Sequence, residues 1–323
     1  MKKADFTKVF VALVLVFGIF YYLNQNNTFE ALKNVSIADF GLLTIITFIG
    51  YLTMGLQTYF MLKEQYEIKI SLVDVICLPV AMTLFGYIIP TNGGIIYSTL
   101  FLKAKYKVKA TTGFALGVVL IYISFILSGV FGVIGYFLTD DLGPEIFYIS
   151  TPLVLSPLLV RLGNQLFQLL PFSKQGFLGI FQSLINELVG SSSDMMKNKK
   201  IIFLNVLLTF IYLLITYVSF MKINEMLDLG INTFGLFVLL LTTRVSSLIR
   251  VLPGNIGIQE LYMGSVFKLV GLTASLGAIF SLMWRFSTIV LMIPFGITHL
   301  LLNTHHIKPK EFFNRKGKKS DDI

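Results

Sequence analysis

Cysteine is nearly absent from this chain: Cys77 stands alone, so no internal disulfide or thiolate cluster can form. Charge is scarce as well, at 13% of residues against about 25% in soluble domains. Histidine occurs only at His299, His305 and His306, without zincin spacing, and no metal site is expected from them. A Walker loop, a G-x-S-x-G elbow and a dinucleotide fingerprint are all missing, which argues against an ATP-driven pump and leaves no cofactor and no catalytic residue to assign. There is also no polar stretch long enough for a soluble domain between Val9 and Leu302.

What fills the space is apolar. Of 323 residues, 55% are hydrophobic and 30 are Phe, and mean hydropathy is +0.79, the composition of an integral membrane protein. The net charge of +9 comes from lysine clusters: Lys2, Lys3 and Lys8; Lys103, Lys105, Lys107 and Lys109; Lys197, Lys199 and Lys200; and Lys308 to Lys319. Such clusters mark cytoplasmic loops facing anionic headgroups, so the charge calls for no nucleic-acid partner. The N-terminus has the basic start and apolar run of a signal peptide but no small-x-small cleavage site before Asn24, and reads as a retained span.

The expected fold class is an all-α polytopic membrane protein, one membrane domain over 1–323, with about six full spans at 7–23, 40–62, 110–138, 146–162, 201–220 and 274–303. Both termini fall in the cytoplasm of a cell membrane by lysine distribution, with 24–39 and 139–145 outside. Residues 166–200 read as a cytoplasmic amphipathic helix after the 146–162 span, and 304–323 as a basic tail. Stretch 71–102 does not fit a simple span. Its return limb from Gly93 to Leu102 has about ten residues, or about 15 Å of helix, so a re-entrant hairpin with its tip at Pro90–Gly94 is expected.

Aligning Pro90 with Pro253 sets "IPTNGGI" over "LPGNIGI" and shifts the chain by 163 residues. The same shift carries the spans starting near 40 and 110 onto those near 203 and 273. Residues 40–138 and 201–303 thus read as an inverted repeat, the second hairpin lying in 233–270, with two tips meeting near the midplane as in a transporter site. The alternative is a complete span at 233–252 followed by a short one at 256–271.

The return limbs begin at Asn92 and Asn255, which can act as N-caps, with Gly94, Gly254 and Gly257 permitting close backbone approach. Free N–H groups at such helix starts suit an anion. Arg244, Arg250, Glu260 and Arg285 lie near the second turn, and charged groups at mid-membrane are costly unless paired or wet. Two readings stay open: an Arg–Glu pair tying the second hairpin to the last helix, or a headgroup site in which arginines hold phosphate and Glu260 holds an arginine or an ammonium. The expected substrate-binding set is Pro90, Asn92, Gly94, Arg244, Arg250, Pro253, Gly254, Asn255, Gly257, Glu260 and Arg285. Asp74 faces either the first hairpin's cavity or the cytoplasmic edge, and the histidines read as ordinary interfacial residues.

"RVLPGNIGIQE", "IPTNGGIIYSTLFLK" and "SLMWRFSTIVLMIPFG" together resemble the lysylphosphatidylglycerol synthase/flippase membrane-domain family over nearly the whole chain. Pro253, Gly254, Gly257, Glu260 and Arg285 match its motifs, whereas Asn255 stands for a usual glycine and Gln259 for a usual basic residue. The resemblance implies a bacterial source and movement of aminoacylated phosphatidylglycerol to the outer leaflet, which protects against cationic peptides. It implies no catalytic half, since the chain stops after the last span. Lysyl transfer from charged tRNA, as the family name suggests, and a scaffold for a separate synthase or glycosyltransferase are the alternatives. Anionic or aminoacylated phospholipid and a second copy of the chain are the expected partners; nucleic acid is expected only for a transferase.

Overall fold

The computed structural model describes residues 32–33, 35–89, 93–138, 148, 150–152, 154–155, 197–246, 252–269 and 271–303. The expected span 7–23, the amphipathic stretch up to 196, the tip Pro90–Asn92, Arg250 and the tail 304–323 lie outside these residues, as does most of the 146–162 span. Among the described residues every regular element is helical: α1 (Ile37–Tyr66), α2 (Leu72–Ile88), α3 (Gly93–Tyr106), α4 (Ala110–Leu138), α5 (Lys199–Met226), α6 (Thr233–Ser246), α7 (Ile258–Leu269), α8 (Ala274–Leu291) and α9 (Thr298–Asn303).

Helix starts follow their caps. Ser36 accepts from the Asp39 N–H and begins α1, Ser71 accepts from the Asp74 N–H and begins α2, and Thr273 does the same for α8 through Leu276, each satisfying an orphan donor of the first turn. A π-helical segment, Met292–Ile297, links α8 to α9. It contains Pro294, which has no N–H to donate and whose ring crowds the carbonyl four residues back.

Among the described residues, four helices are long and apolar enough to cross a membrane: Ile37–Tyr66, Ala110–Ile134, Lys199–Met226 and Ala274–Asn303. They correspond to the expected spans at 40–62, 110–138, 201–220 and 274–303. Between them lie shorter limbs, 17 residues in α2, 14 in α3 and 12 in α7, with 14 described residues in α6. At about 1.5 Å per residue α2, α3 and α7 reach about 18 to 26 Å, short of about 30 Å of hydrocarbon. Among the described residues two long helices thus flank two shorter ones in α1–α4 and again in α5–α8.

The contacts follow the same exchange. α1 packs on α8 and α5 on α4, while α2 packs on the π segment after α8 and α6 packs on α4. The two long helices α1 and α5 lie against each other, where Gly50 faces Tyr212 and Ile215 and Gln57 donates to the Thr209 hydroxyl at 2.7 Å. One core cluster gathers Leu43, Phe220, Phe267 and Phe280 from α1, α5, α7 and α8. A second gathers Met61, Leu78, Phe101 and Leu116 from α1 to α4. The first hairpin closes tightly because Gly94 lets α3 run against the Met82 carbonyl of α2, where a Cβ would collide.

Candidate functional site

The break between α6 and α7 is built from its own residues. Pro253–Asn255 form a single 3-10 turn, and Gly254, Asn255 and Gly257 take left-handed backbone at φ 59°, 55° and 86°. Glycine adopts this region freely, and Asn better than most other residues, which accounts for Asn255 where the resemblance leads to glycine. A Cβ on Gly254 would sit 2.7 Å from the Tyr87 ring. The second turn thus rests its bare backbone on an aromatic at the end of α2, next to the first turn.

Asn255 does not cap α7, contrary to the sequence expectation. Gly257 precedes the helix and its N–H donates to Oε2 of Glu260 at 2.7 Å, the reach-back half of a capping box. The helix start expected to receive an anion is in this way occupied by the chain's own carboxylate.

Glu260 also meets Arg285 of α8, Oε1 to Nε, at 2.5 Å, and Oε1 accepts from Ser281 at 3.4 Å. Arg285 turns three more donors on the turn and the start of α7: Nη1 on the Gly254 carbonyl at 2.7 Å, and Nη2 on the Asn255 carbonyl at 3.1 Å and the Gln259 Oε1 at 3.0 Å. An amide oxygen can accept here where a basic side chain could not, so Gln259 fits this geometry. Both charges are buried, Glu260 at 2% and Arg285 at 6% exposure. Burying such a pair is favourable only when further hydrogen bonds accompany it: Gly257 and Ser281 donate to Glu260 and three oxygens accept from the Arg285 Nη groups, whereas the Nε contact with Oε1 is an ion pair without hydrogen-bond alignment. The Arg–Glu tie between the second hairpin and the last helix is present in the structure.

Around this tie opens a cavity of about 360 Å³, within the about 300–1,000 Å³ of ordinary ligand sites. Gly94 from the first hairpin, Gly254 and Asn255 from the second turn, and Arg285 from the last helix all line it. Gly257 and Glu260 brace that wall without forming it. Pro253 opens the turn and Arg244 falls in the last turn of α6, while Pro90, Asn92 and Arg250 lie outside the described residues. Tyr51, Tyr87, Tyr212 and Trp284 complete the wall together with Thr83, Thr243 and Thr288. The Arg285 guanidinium lies 5.6 Å from the Tyr87 ring centre, a cation–π distance. A smaller cavity of about 40 Å³ shares Tyr51, Tyr212, Trp284 and Thr288. Sequence reasoning missed these aromatics.

A second polar cluster was also missed. Asp74 is 1% exposed and His299 fully buried, so His299 is not the interfacial residue expected and Asp74 is held inside the protein. Oδ2 of Asp74 accepts from Lys105 at 2.7 Å, from Ser71 at 2.7 Å and from the Tyr106 hydroxyl. His299 stands between Asp74 and the Tyr97 hydroxyl, which lies 2.7 Å from Nδ1. Among the described residues no group of three or more His, Cys, Asp or Glu could hold a metal ion.

Neither a curated protein nor a solved structure matches the chain. The family model described as "Lysylphosphatidylglycerol synthase TM region" matches residues 6–296, a stretch that contains both turns, the cavity and Arg285. The chain belongs to the lysylphosphatidylglycerol synthase transmembrane-region family.

Proposed function

We propose that this protein is a flippase-like translocator that carries lysylphosphatidylglycerol or a related charged lipid between leaflets of the cell membrane, and thereby contributes to resistance against cationic antimicrobial peptides. The observation that carries this reading is the cavity of about 360 Å³ whose wall joins Gly94 of one hairpin to Gly254 and Asn255 of the other, beside Arg285. Membership of the family already associates the chain with a membrane role in lysylphosphatidylglycerol handling.

The wall chemistry supports a headgroup bearing both signs. A guanidinium attracts phosphate, and the faces of Tyr51, Tyr87, Tyr212 and Trp284 attract an ammonium. The short limbs α2, α3, α6 and α7 support two half-membrane hairpins, and the matched contacts of the two halves support an inverted repeat around the cavity. In this reading Gly254, Asn255 and Arg285 form the binding wall and Glu260 fixes it, and Pro90, Asn92, Arg244, Arg250 and Pro253 are proposed as further headgroup residues. Both termini lie in the cytoplasm, and a membrane-associated synthase or a second copy of the chain is the expected partner.

The test is the exposure of lysylphosphatidylglycerol amines to an impermeant amine reagent in proteoliposomes, wild type beside Thr83→Trp, which fills the cavity. Faster exposure by wild type than by protein-free vesicles and by the variant supports translocation through the cavity. Equal rates in all three overturn it. The family description speaks of a synthase, so the same preparation is given phosphatidylglycerol and lysyl-tRNA; new lysylphosphatidylglycerol would favour the transferase reading instead.

A further inference from the structure

The small cavity beside the lipid site has hydroxyls of one chemical character. About 40 Å³ in volume, it lies between α1, α5 and α8 and has room for a group the size of a water molecule or an ammonium. Thr47, Thr216, Ser219 and Thr288 line it, each at most 8% exposed. Every one of these hydroxyls donates to a carbonyl one turn back in its own helix: Thr47 to Leu43 at 2.8 Å, Thr216 to Tyr212 at 2.9 Å, Ser219 to Ile215 at 3.0 Å and Thr288 to Trp284 at 3.3 Å. A hydroxyl has one proton and two lone pairs. With the proton committed to the helix, it presents only an acceptor.

One such back-bond is ordinary in an apolar helix. Here four of them, from three helices, border a single space. Thr47 also lies 3.1 Å from the Ser287 hydroxyl, but the Ser287 proton goes to the Trp284 carbonyl at 2.7 Å, so this neighbour adds another acceptor. The group that matches such a wall brings donors and no lone pairs. A phosphate fails on that count, and a water molecule leaves its own lone pairs unserved, whereas an alkylammonium carries three N–H donors and no acceptor. Tyr51, Tyr212 and Trp284 stand in the same wall, and aromatic rings attract the same charge.

The position of the small cavity ties it to the large one. Tyr51, Tyr212, Trp284 and Thr288 border both, and Arg285 of the large cavity directly follows Trp284 in α8. We propose that the small cavity is an ammonium subsite: its hydroxyls receive the amino group of an aminoacylated lipid whose phosphate meets Arg285. Thr216 and Ser219 border the small cavity and not the large one, so they determine the preference for aminoacylated over unmodified phospholipid. This assignment deepens the reading of the large cavity as a lipid site and rests on it.

The test is the dissociation constant of lysylphosphatidylglycerol and of phosphatidylglycerol for purified protein in detergent micelles, each lipid titrated separately. Wild type is compared with the double variant Thr216→Val/Ser219→Ala, which removes two acceptors with little change of shape, and with Thr216→Ser, which keeps the acceptor. Wild type should bind the lysylated lipid several-fold more tightly. The double variant should lose most of that preference at unchanged affinity for phosphatidylglycerol, and Thr216→Ser should retain it. A wild type without preference, a preference that survives in the double variant, or an equal weakening of both lipids overturns the subsite. Phosphatidylglycerol binding that strengthens when sodium chloride replaces tetramethylammonium chloride, in wild type but not in the double variant, overturns it as well, because a bare cation then fills the space. Translocation is scored apart, by amine exposure in proteoliposomes. Wild type that shows the preference without speeding exposure overturns the translocator reading and leaves the subsite standing, whereas wild type that binds neither lipid overturns both.

Discussion

Arg285 donates to the carbonyl oxygen of Gly254 at 2.7 Å, 31 residues away in sequence. That bond, with those to Asn255 and Gln259, makes one guanidinium the template on which a three-residue turn is shaped. Pro253 and two left-handed residues make the turn available, but a buried turn leaves carbonyl groups that need donors. Arg285 supplies them from a neighbouring helix. The same side chain lines the cavity, so the shape of the wall and its positive charge depend on one residue.

Arg285→Lys should therefore behave as a severe change. An ammonium on a flexible stem cannot serve carbonyls and an amide in the plane of a fork, and each buried acceptor left unserved costs about 1–3 kcal/mol. The expected outcome is a lower thermal midpoint in detergent and lost lipid translocation. Wild-type stability for Arg285→Lys would show that the fork is dispensable.

Glu260→Gln separates charge from capping. The amide oxygen can still accept the Gly257 N–H, but the Arg285 charge is left buried without its partner, which costs about 3–5 kcal/mol when such a pair is broken. Adding Arg285→Met removes the unpaired charge but leaves the Gly254 and Asn255 carbonyls without their donor, so the double variant should recover only part of the stability, while transport should stay absent because the cavity has lost its cation. Unfolding curves of the two variants beside their translocation rates decide this. If the double variant transports, Arg285 has no part in binding the headgroup.

Gly254→Ala tests whether the second turn must rest on Tyr87 of α2. A left-handed φ of 59° costs a non-glycine residue about 1–2 kcal/mol, and the added Cβ would press on the Tyr87 ring. Tyr87→Ala should relieve the second penalty but not the first. A double-mutant cycle in thermal stability is expected to give a favourable coupling between Gly254→Ala and Tyr87→Ala of about 0.5 kcal/mol or more, the size found for residues in contact. Strict additivity would mean that the contact between Gly254 and Tyr87 carries no energy.

The long helices were legible because hydrophobic length alone specifies them: the spans expected at 110–138 and 274–303 begin where α4 and α8 begin. Proline and glycine marked the broken helix at 253–257 for the same local reason. The aromatic wall was not legible, since Tyr51, Tyr87 and Tyr212 sit in apolar helices of a chain that is 14% aromatic, and nothing local separates a cavity tyrosine from one facing lipid. Asp74 showed its helix-capping pattern, Ser71-x-x-Asp74, but its pairing with His299 depends on how α2 and α9 pack. Distance in sequence hides such pairs. The role of Glu260 was half legible: its partner Arg285 was anticipated, whereas its reach back to the Gly257 N–H, three residues away, was overlooked in favour of an asparagine cap.

Trp284 offers a direct view of the cavity. It is the only tryptophan in the chain and lines the space beside Arg285, Tyr212 and Thr288, so its fluorescence reports what enters without any label. Lysylphosphatidylglycerol added to protein in detergent should change Trp284 emission saturably, as an ammonium or acyl chain replaces water near the indole. Phosphatidylglycerol, which lacks the ammonium, should bind several-fold more weakly if the aromatic faces contribute about 0.5–2 kcal/mol of cation–π attraction. Thr83→Trp would add a second indole, so the control that blocks the cavity is Thr83→Phe, and it should abolish the saturable change. Equal responses to both lipids would place recognition in the shared phosphate and leave the aromatic faces without a role in it, and a response that survives Thr83→Phe would place the lipid elsewhere on the protein.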